Sequence, residues 1–287
     1  MSEGDVTPAA KHVGVTLADG RGITVQWAGA GDSAAPALVV HYGTPHSGRH
    51  PARVTDLAAE AGLRLVAVTR AGYGATPRRV GRTVADTARD ACEALDRLGI
   101  EAAAVAGYSG GGPHALAQAA LLGDRVSEVA VFASPAPYDH TEAWFAGMAG
   151  NGGGLRPAAE GRAAREKHQR TAEFDPASFT DADWAALAGQ WAGIGEDAQA
   201  ATAAGSDHGE IDDDLAFVAP WGVELDRITA RVAVFHGSAD RIVPAHHADR
   251  LGALLPAADV RRSEGSGHVA ILDELPPWIE TIAARIR

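Results

Sequence analysis

The 287-residue sequence has little cysteine, few basic residues and no long apolar run, and each shortage excludes a class of protein. A single cysteine, Cys92, leaves no partner for an internal disulfide, which is typical of a reducing compartment. It lies on the apolar face of a predicted helix, so we expect a packed core residue rather than a reactive thiol. The 25 Lys and Arg residues against 37 Asp and Glu give a formal net charge of −12, which argues against nucleic acid as a partner.

Membrane and export signals are missing as well. No run approaches the ~18 apolar residues that a membrane-spanning helix requires. The segment MSEGDVTPAAKH is polar and acidic, without the charged and then apolar pattern of a signal peptide. We therefore expect a cytoplasmic protein with no membrane partner, whose length suits one large domain or one domain with an insertion.

What the sequence does have is a series of short apolar runs that alternate with amphipathic stretches. Strands are expected at 36–43, 63–74, 101–109, 126–134, 231–240 and 258–265, after a hairpin of HVGVTL and GITVQWAG around ADGR. Helices are expected near 51–61, 83–98, 112–122, 245–254 and 269–285. Apolar strands separated by helices indicate an α/β fold, a mostly parallel sheet with helices on both faces.

A stretch without convincing strands, 136–217, interrupts this alternation. It contains the helical patches TEAWFAGMAG, PAAEGRAAREKHQRTAEF and DADWAALAGQWAGIG. Helices inserted between two strands are typical of a lid over the carboxyl edge of a sheet. We therefore divide the chain into a first core part, 1–135, an inserted helical cap, 136–217, and a second core part, 218–287.

The motif GYSGG at 107–111 has the pattern G-x-S-x-G between a predicted strand and a predicted helix. A serine at so sharp a turn is held in a strained conformation that lifts its hydroxyl clear of the backbone. Side chains two positions before and after it would collide, which explains Gly107 and Gly111. Free N–H groups at the start of the helix would stabilise negative charge nearby. Ser109 is therefore the candidate nucleophile.

A serine hydroxyl needs a base at neutral pH, and the base needs an orienting carboxylate. Asp240 follows a predicted buried strand in VFHGSADRIVP, and His268 precedes the last predicted helix in EGSGHVAIL. A third motif, VVHYGTPHSG at 39–48, leaves another strand and turns at Gly43. The backbone N–H groups of Thr44 and Gly110 are the expected donors of an oxyanion hole.

The motifs HYGTP, TRAGYGAT, GYSGGG, HGSADRIVP and GSGHV resemble those of α/β-hydrolase-fold serine hydrolases with a helical cap, in the same order and spacing. The resemblance covers about 36–135 and 218–287 and points to the bacterial esterase and proline iminopeptidase-like group. AFVAPWGVEL resembles a segment of bacterial hydrolases of undefined substrate. Where the family has His-Gly before its oxyanion residue, this chain has Tyr42-Gly43. The family also varies the position of its acid, which makes Asp139 the alternative to Asp240.

The resemblance implies two-step acyl transfer by the triad Ser109, His268 and Asp240, without a cofactor or a metal. We expect a carboxylic ester or lactone as the small-molecule substrate. Several alternatives stay open: carbon–carbon or cyanohydrin cleavage, a non-hydrolytic ligand-binding protein, and a pathway enzyme that reuses the triad. A proline iminopeptidase-like enzyme is the runner-up, and it would use Glu142 or Glu173 to bind a free amine. Epoxide opening and dehalogenation are disfavoured, because the resembling members have Asp where Ser109 stands.

Other residues have weaker signals. Tyr42, Tyr108 and Trp144 are expected to contact the substrate, and a homodimer is an open alternative to a monomer. The stretch SDHGEIDDDL at 206–215 lacks a recognised metal-ligand spacing, and we interpret it as an acidic loop. The run Arg78, Arg79 and Arg82 is interpreted as a solvated face, with contact to an anionic substrate as the alternative.

Overall fold

The computed structural model describes residues 11–30, 35–203, 207–255 and 257–286. Its strands are β1 Lys11–Thr16, β2 Gly22–Gly29, β3 Ala37–His41, β4 Arg64–Val68, β5 Ala103–Tyr108, β6 Val126–Phe132, β7 Arg231–Gly237 and β8 Asp259–Ser263. They form one eight-stranded sheet in the order β1-β2-β4-β3-β5-β6-β7-β8. β2 pairs antiparallel with β1 and β4, and the remaining neighbours pair parallel. The predicted hairpin and the mostly parallel sheet are both confirmed.

Helices cover both faces of this sheet. Successive side chains of a strand point to opposite sides, so a strand that is apolar throughout must be covered on both. The helices are α1 Ala52–Glu60, α2 Val84–Arg97, α3 Gly111–Leu122, α4 Leu155–Glu160, α5 Arg162–Gln169, α6 Asp181–Ala188, α7 Ala192–Ala203, α8 His208–Val218, α9 His246–Leu254 and α10 Leu275–Arg285. One apolar core joins the sheet to α2, α3 and α9. A second core joins the opposite face to α1 and α10. Strand β5 is buried along its whole length between them, as its continuous apolar sequence predicts.

The segment between β6 and β7 is helical. Its described residues form no strand, and it supplies α4 to α8 as well as short 3₁₀ turns. The absence of strands agrees with the sequence pattern, while the division at 136 and 217 stays a prediction. We refer to this segment as the cap.

Helix α8 corrects one interpretation of the sequence. The described part of SDHGEIDDDL is not an acidic loop, because residues 208–218 are helical. Three consecutive aspartates are tolerated there because each is ion-paired with at least one arginine from another element. Asp212 pairs with Arg78 and Arg162, Asp213 with Arg70 and Arg82, and Asp214 with Arg165.

Two remaining predictions concern Cys92 and membrane association. Burial raises the pKa of the Cys92 thiol to about 12, which disfavours the reactive thiolate. Among the helices of the described ranges, none combines the length and the apolar character that a membrane crossing needs. Residues 1–10 of the acidic N-terminal segment lie outside the described residues.

Candidate active site

Ser109 occupies the sharp turn between β5 and α3, at the carboxyl edge of the sheet. Its backbone φ of 51° lies in the left-handed region that non-glycine residues rarely adopt. The strained turn is fixed by two hydrogen bonds: the Ser109 N–H donates to the Phe132 carbonyl at 2.8 Å, and its own carbonyl accepts from the Gly112 N–H at 2.9 Å. The hydroxyl is thereby held above the end of the strand.

The motif glycines are required by close backbone approach around this turn. A Cβ atom at Gly107 would lie 2.7 Å from the Cα of Gly112, and one at Gly111 would overlap the carbonyl oxygen of His41. Neither neighbour is a flexible side-chain end that could move aside. The packing therefore requires glycine two positions before and two positions after Ser109, as the sequence predicts.

His268 lies beside Ser109 and joins it to Asp240. The Nε2 atom of His268 is 2.9 Å from the Ser109 Oγ, and its Nδ1 is 2.8 Å from the Asp240 Oδ2. An ionised carboxylate only accepts hydrogen bonds, so Nδ1 carries the proton and Nε2 is left to accept from the serine hydroxyl. The three residues are 159 and 28 positions apart in sequence, yet form one hydrogen-bonded line.

The Asp240 carboxylate is oriented by the turn that follows it. Its Oδ1 accepts from the N–H groups of Ile242 and Val243 at 2.8 and 2.9 Å, which leaves Oδ2 free to face His268. The side chain is buried, with 5% of the residue exposed. The alternative acid, Asp139, instead forms an ion pair with Arg250 and accepts from Thr141. The geometry thus pairs Asp240, and not Asp139, with His268.

The loop after β3 lies against the other side of Ser109. A Cβ atom at Gly43 would be 3.4 Å from the Cβ of Ser109, and one at Gly110 would overlap the hydroxyl of Thr44. Gly110 immediately precedes α3, where the first N–H groups of a helix have no intrahelical partner. The two predicted oxyanion donors, Thr44 and Gly110, are therefore neighbours across the serine.

A buried charge network, which no motif of the sequence predicts, supports this loop. Arg70, which follows β4, donates to the carbonyl oxygens of Tyr42 and Gly43 at 2.8 and 2.6 Å. Its guanidinium is ion-paired with Asp213 of α8 at 2.7 Å. Asp213 also accepts from the Thr44 hydroxyl at 2.7 Å. TRAGYGAT contains the arginine, but no local signal distinguishes its acidic partner within the run of three aspartates.

Asp213 is fully buried and nevertheless ionised. Burial by itself raises the pKa of this carboxyl, but the guanidinium groups of Arg70 and Arg82 outweigh it and hold the pKa well below its usual range. The Arg82 side chain lies 2.6 Å from Asp213, and that of Arg78 lies 2.7 Å from Asp212. The interpretation of this arginine run as a solvated face is therefore wrong for Arg82, which is buried because the α8 carboxylates neutralise it.

The three residues predicted to contact substrate occupy different surroundings. Tyr108 is buried with its ring centroid 5.4 Å from that of His268. Tyr42 donates or accepts a 2.8 Å hydrogen bond with His50. Both tyrosines line a small apolar cavity of about 10 Å³. Trp144 is fully buried and donates to the Ala136 carbonyl at 3.0 Å. Contact of these side chains with substrate stays a prediction.

Comparison with known proteins places the chain in a family. Residues 36–275 match the family model described as the alpha/beta hydrolase fold. A curated relative, the uncharacterized hydrolase YcgS of Bacillus subtilis (strain 168), is 33% identical over 92 residues, 32% of this chain and 32% of the relative. The alignment thus spans about a third of that relative's length.

Solved structures share the fold over nearly the whole chain. The enol-lactonase from Burkholderia xenovorans LB400 has a TM-score of 0.69 at 18% identity, over 96% of this chain and 99% of the other. The esterase from Exiguobacterium antarcticum has a TM-score of 0.66 at 21% identity, over 96% and 99%. A hydrolase from Pseudomonas aeruginosa PA01 has a TM-score of 0.68 at 18% identity, over 97% and 99%. At these identities the likeness concerns the fold.

Proposed function

Since the chain belongs to the α/β-hydrolase fold family, we propose that it is a serine hydrolase that cleaves a carboxylic ester or lactone through an acyl-enzyme on Ser109. The observation that carries this proposal is the line of hydrogen bonds from Asp240 through His268 to Ser109, at 2.8 and 2.9 Å. Such a line is the arrangement that activates a serine hydroxyl at neutral pH.

The proposed reaction has two steps. His268 takes the proton of Ser109 while Oγ attacks the carbonyl carbon, and the resulting oxyanion accepts hydrogen bonds from the N–H groups of Thr44 and Gly110. His268 then protonates the leaving alcohol, or the ring oxygen of a lactone. Water attacks the acyl-enzyme, with His268 again as the base, and the Ser109 hydroxyl is restored. One oxyanion donor is worth ~3 kcal/mol of transition-state stabilisation.

The surroundings of the predicted amine-binding residues favour an ester over an aminoacyl substrate. The side chain of Glu142 is 82% exposed and forms a 2.6 Å ion pair with Arg156, and Glu173 is exposed. Buried carboxylates close to the proposed machinery, Asp183 and Asp213, already accept several hydrogen bonds from the protein. Binding a free amine would require breaking these bonds.

Charge pairing also favours a substrate without a carboxylate of its own. Of the four arginines at 70–82, Arg70, Arg78 and Arg82 are ion-paired with α8. The fourth, Arg79, is ion-paired with Asp86 and Asp90 of α2. An anionic substrate would have to compete with these carboxylates. An esterase and an enol-lactonase occur among the structurally similar proteins, which supports an ester or lactone as the substrate class.

A substrate panel with matched serine variants tests the proposal. Wild type is expected to turn over p-nitrophenyl esters or lactones repeatedly, while prolyl p-nitroanilide stays intact. Ser109→Ala is expected to lower kcat by ~10⁴-fold or more. Ser127→Ala, which alters an exposed serine of β6, leaves kcat unchanged. Three results would contradict the proposal. They are turnover that persists in Ser109→Ala, hydrolysis of the prolyl amide alone, and saturable ligand binding without turnover.

A further inference from the structure

Two helices of the fold, α2 and α6, begin with the same type of capping box, and the box of α6 also contacts the turn that carries His268. Thr83 and Asp86 begin α2, and Thr180 and Asp183 begin α6. In each box the aspartate carboxylate accepts from the threonine N–H at 2.9 Å. The threonine hydroxyl accepts from the aspartate N–H, at 3.1 Å in α2 and 3.2 Å in α6. A capping box by itself satisfies two backbone N–H groups at a helix start.

Asp183, the counterpart of Asp86, also binds backbone outside its own helix. Its Oδ1 accepts from the N–H groups of Val269 and Ala270, at 2.6 and 3.0 Å. Its carboxylate also packs on Gly267, where an added Cβ atom would overlap it. One carboxylate from the cap therefore contacts the residue before His268 and the two residues after it. The side chain is fully enclosed, with 0% of the residue exposed.

The turn that carries His268 has little regular structure of its own. Residues 264–269, between β8 and the following 3₁₀ helix, form turns rather than a strand or a helix. The His268 ring must nevertheless keep Nε2 within 2.9 Å of the Ser109 Oγ. A displacement of ~1 Å in such a constellation can cost ~10²-fold in rate. Before His268, the Ser266 carbonyl of this turn accepts from the Ala239 N–H at 2.9 Å. After His268, Asp183 holds the backbone through its two hydrogen bonds.

We propose that Asp183 is a positioning residue for His268, so that the cap takes part in arranging the base. This inference rests on the proposed function, because it assigns His268 a task. The carboxylate is ionised at neutral pH: burial raises its pKa, but the N–H groups of Ala270, Thr180 and Val269 hold the pKa below its usual value. A charged acceptor makes the stronger hydrogen bonds that such anchoring requires.

The matched variants Asp183→Asn and Asp86→Asn separate positioning from helix capping. Both replace one of the two carboxylate oxygens with an NH2 group that cannot accept, so both are expected to lower the thermal midpoint. At position 183 the one remaining oxygen can no longer serve the Thr180 N–H and the N–H groups of Val269 and Ala270 together. Only Asp183→Asn is expected to lower kcat, by ~10- to 100-fold, with KM within ~2-fold of wild type. Equal kcat for Asp183→Asn and Asp86→Asn would overturn the positioning role. A wild type without turnover would instead contradict the proposed function.

A double-mutant cycle at Gly267 gives a second readout that does not depend on Asp183→Asn folding well. The three atoms nearest an added Cβ at position 267 all belong to Asp183, with the Cγ at 2.5 Å. Gly267→Ala is therefore expected to push the His268 turn away and lower kcat by ~10-fold or more. In an Asp183→Ala background the added methyl has room, and the further loss is expected to be below ~3-fold. If Gly267→Ala lowers kcat by the same factor in the Asp183→Ala background as in the wild type, the proposal is overturned.

Discussion

The guanidinium of Arg70 donates a 2.6 Å hydrogen bond to the carbonyl oxygen of Gly43. That carbonyl belongs to the same planar peptide group as the N–H of Thr44. The bond therefore fixes the direction in which the proposed oxyanion donor points. Because Arg70 is held in turn by Asp213 of α8, this loop depends on an ion pair between the sheet edge and the cap.

Replacing Arg70 with lysine is expected to impair the oxyanion loop. A lysine ammonium lacks the planar fork that reaches the carbonyl oxygens and Asp213 together. We expect Arg70→Lys to lower kcat for ester hydrolysis by ~10- to 100-fold, a part of the effect of losing one oxyanion donor. Arg78→Lys is the control, because Arg78 pairs with Asp212 and not with the loop. Equal kcat for the two variants would contradict this role of Arg70.

The two candidate acids are distinguished by their amide variants. Asp240→Asn retains an oxygen for the N–H groups of Ile242 and Val243, so the fold is expected to persist. It no longer selects the His268 tautomer that accepts from Ser109, and kcat is expected to fall by ~10⁴-fold. Asp139→Asn should leave kcat near the wild-type value. Steady-state kinetics of both variants test this, and the reverse ranking would make Asp139 the acid.

Glycine at the serine turn is expected to be essential for stability. In Gly111→Ala the new methyl would overlap the His41 carbonyl, a backbone atom that cannot rotate away. We expect a loss of ~3 kcal/mol in the free energy of unfolding, measured by urea denaturation. Gly22→Ala is the control, because nothing lies within 4 Å of a Cβ there. Wild-type stability of Gly111→Ala would mean that the turn is looser than the packing indicates.

Buried histidines are expected to make the protein sensitive to acid. Burial lowers the pKa of His41 and His247 to about 3, and that of His50 and His114 to about 4. The unfolded chain takes up protons below its ordinary histidine pKa, while the folded chain does not, so stability falls as pH drops from about 6.5 toward 4.

The size of this effect is testable at one position. Between pH 7 and pH 5 each such histidine is expected to lower the free energy of unfolding by ~2 kcal/mol. His114→Gln should reduce the total loss in the free energy of unfolding by ~2 kcal/mol, the share of one histidine. Replacing the exposed His208 should leave the loss unchanged. Urea denaturation at both pH values provides the measurement. A loss that stays the same in His114→Gln would contradict the assignment.

The parts of the fold that could be predicted from sequence have local signals. Strand β5 is a continuous apolar run, and the glycines around Ser109 mark a turn that admits no other residue. Ser109, Asp240 and His268 follow β5, β7 and β8, and their order was predicted from its resemblance to that of α/β-hydrolase motifs. The strand and the serine turn are each encoded by neighbouring residues, and each triad residue lies in a short motif of its own.

The contacts that complete the site have no such signal. Arg70 and Asp213 are 143 positions apart, and Asp183 and Val269 are 86 apart. No periodicity links such pairs, because their proximity depends on how the cap packs on the sheet. The three α8 aspartates look identical in sequence, but a rotation of about 100° per helical residue sends each toward a different arginine.

The central claim, an activated serine at the turn after β5, is tested most directly by labelling with a fluorophosphonate and mapping the modified peptide by mass spectrometry. We predict stoichiometric labelling at Ser109 that is absent in Ser109→Ala and greatly slowed in His268→Ala. Labelling at another residue would contradict the central claim. So would a folded wild type in which neither a fluorophosphonate nor a smaller sulfonyl fluoride modifies Ser109.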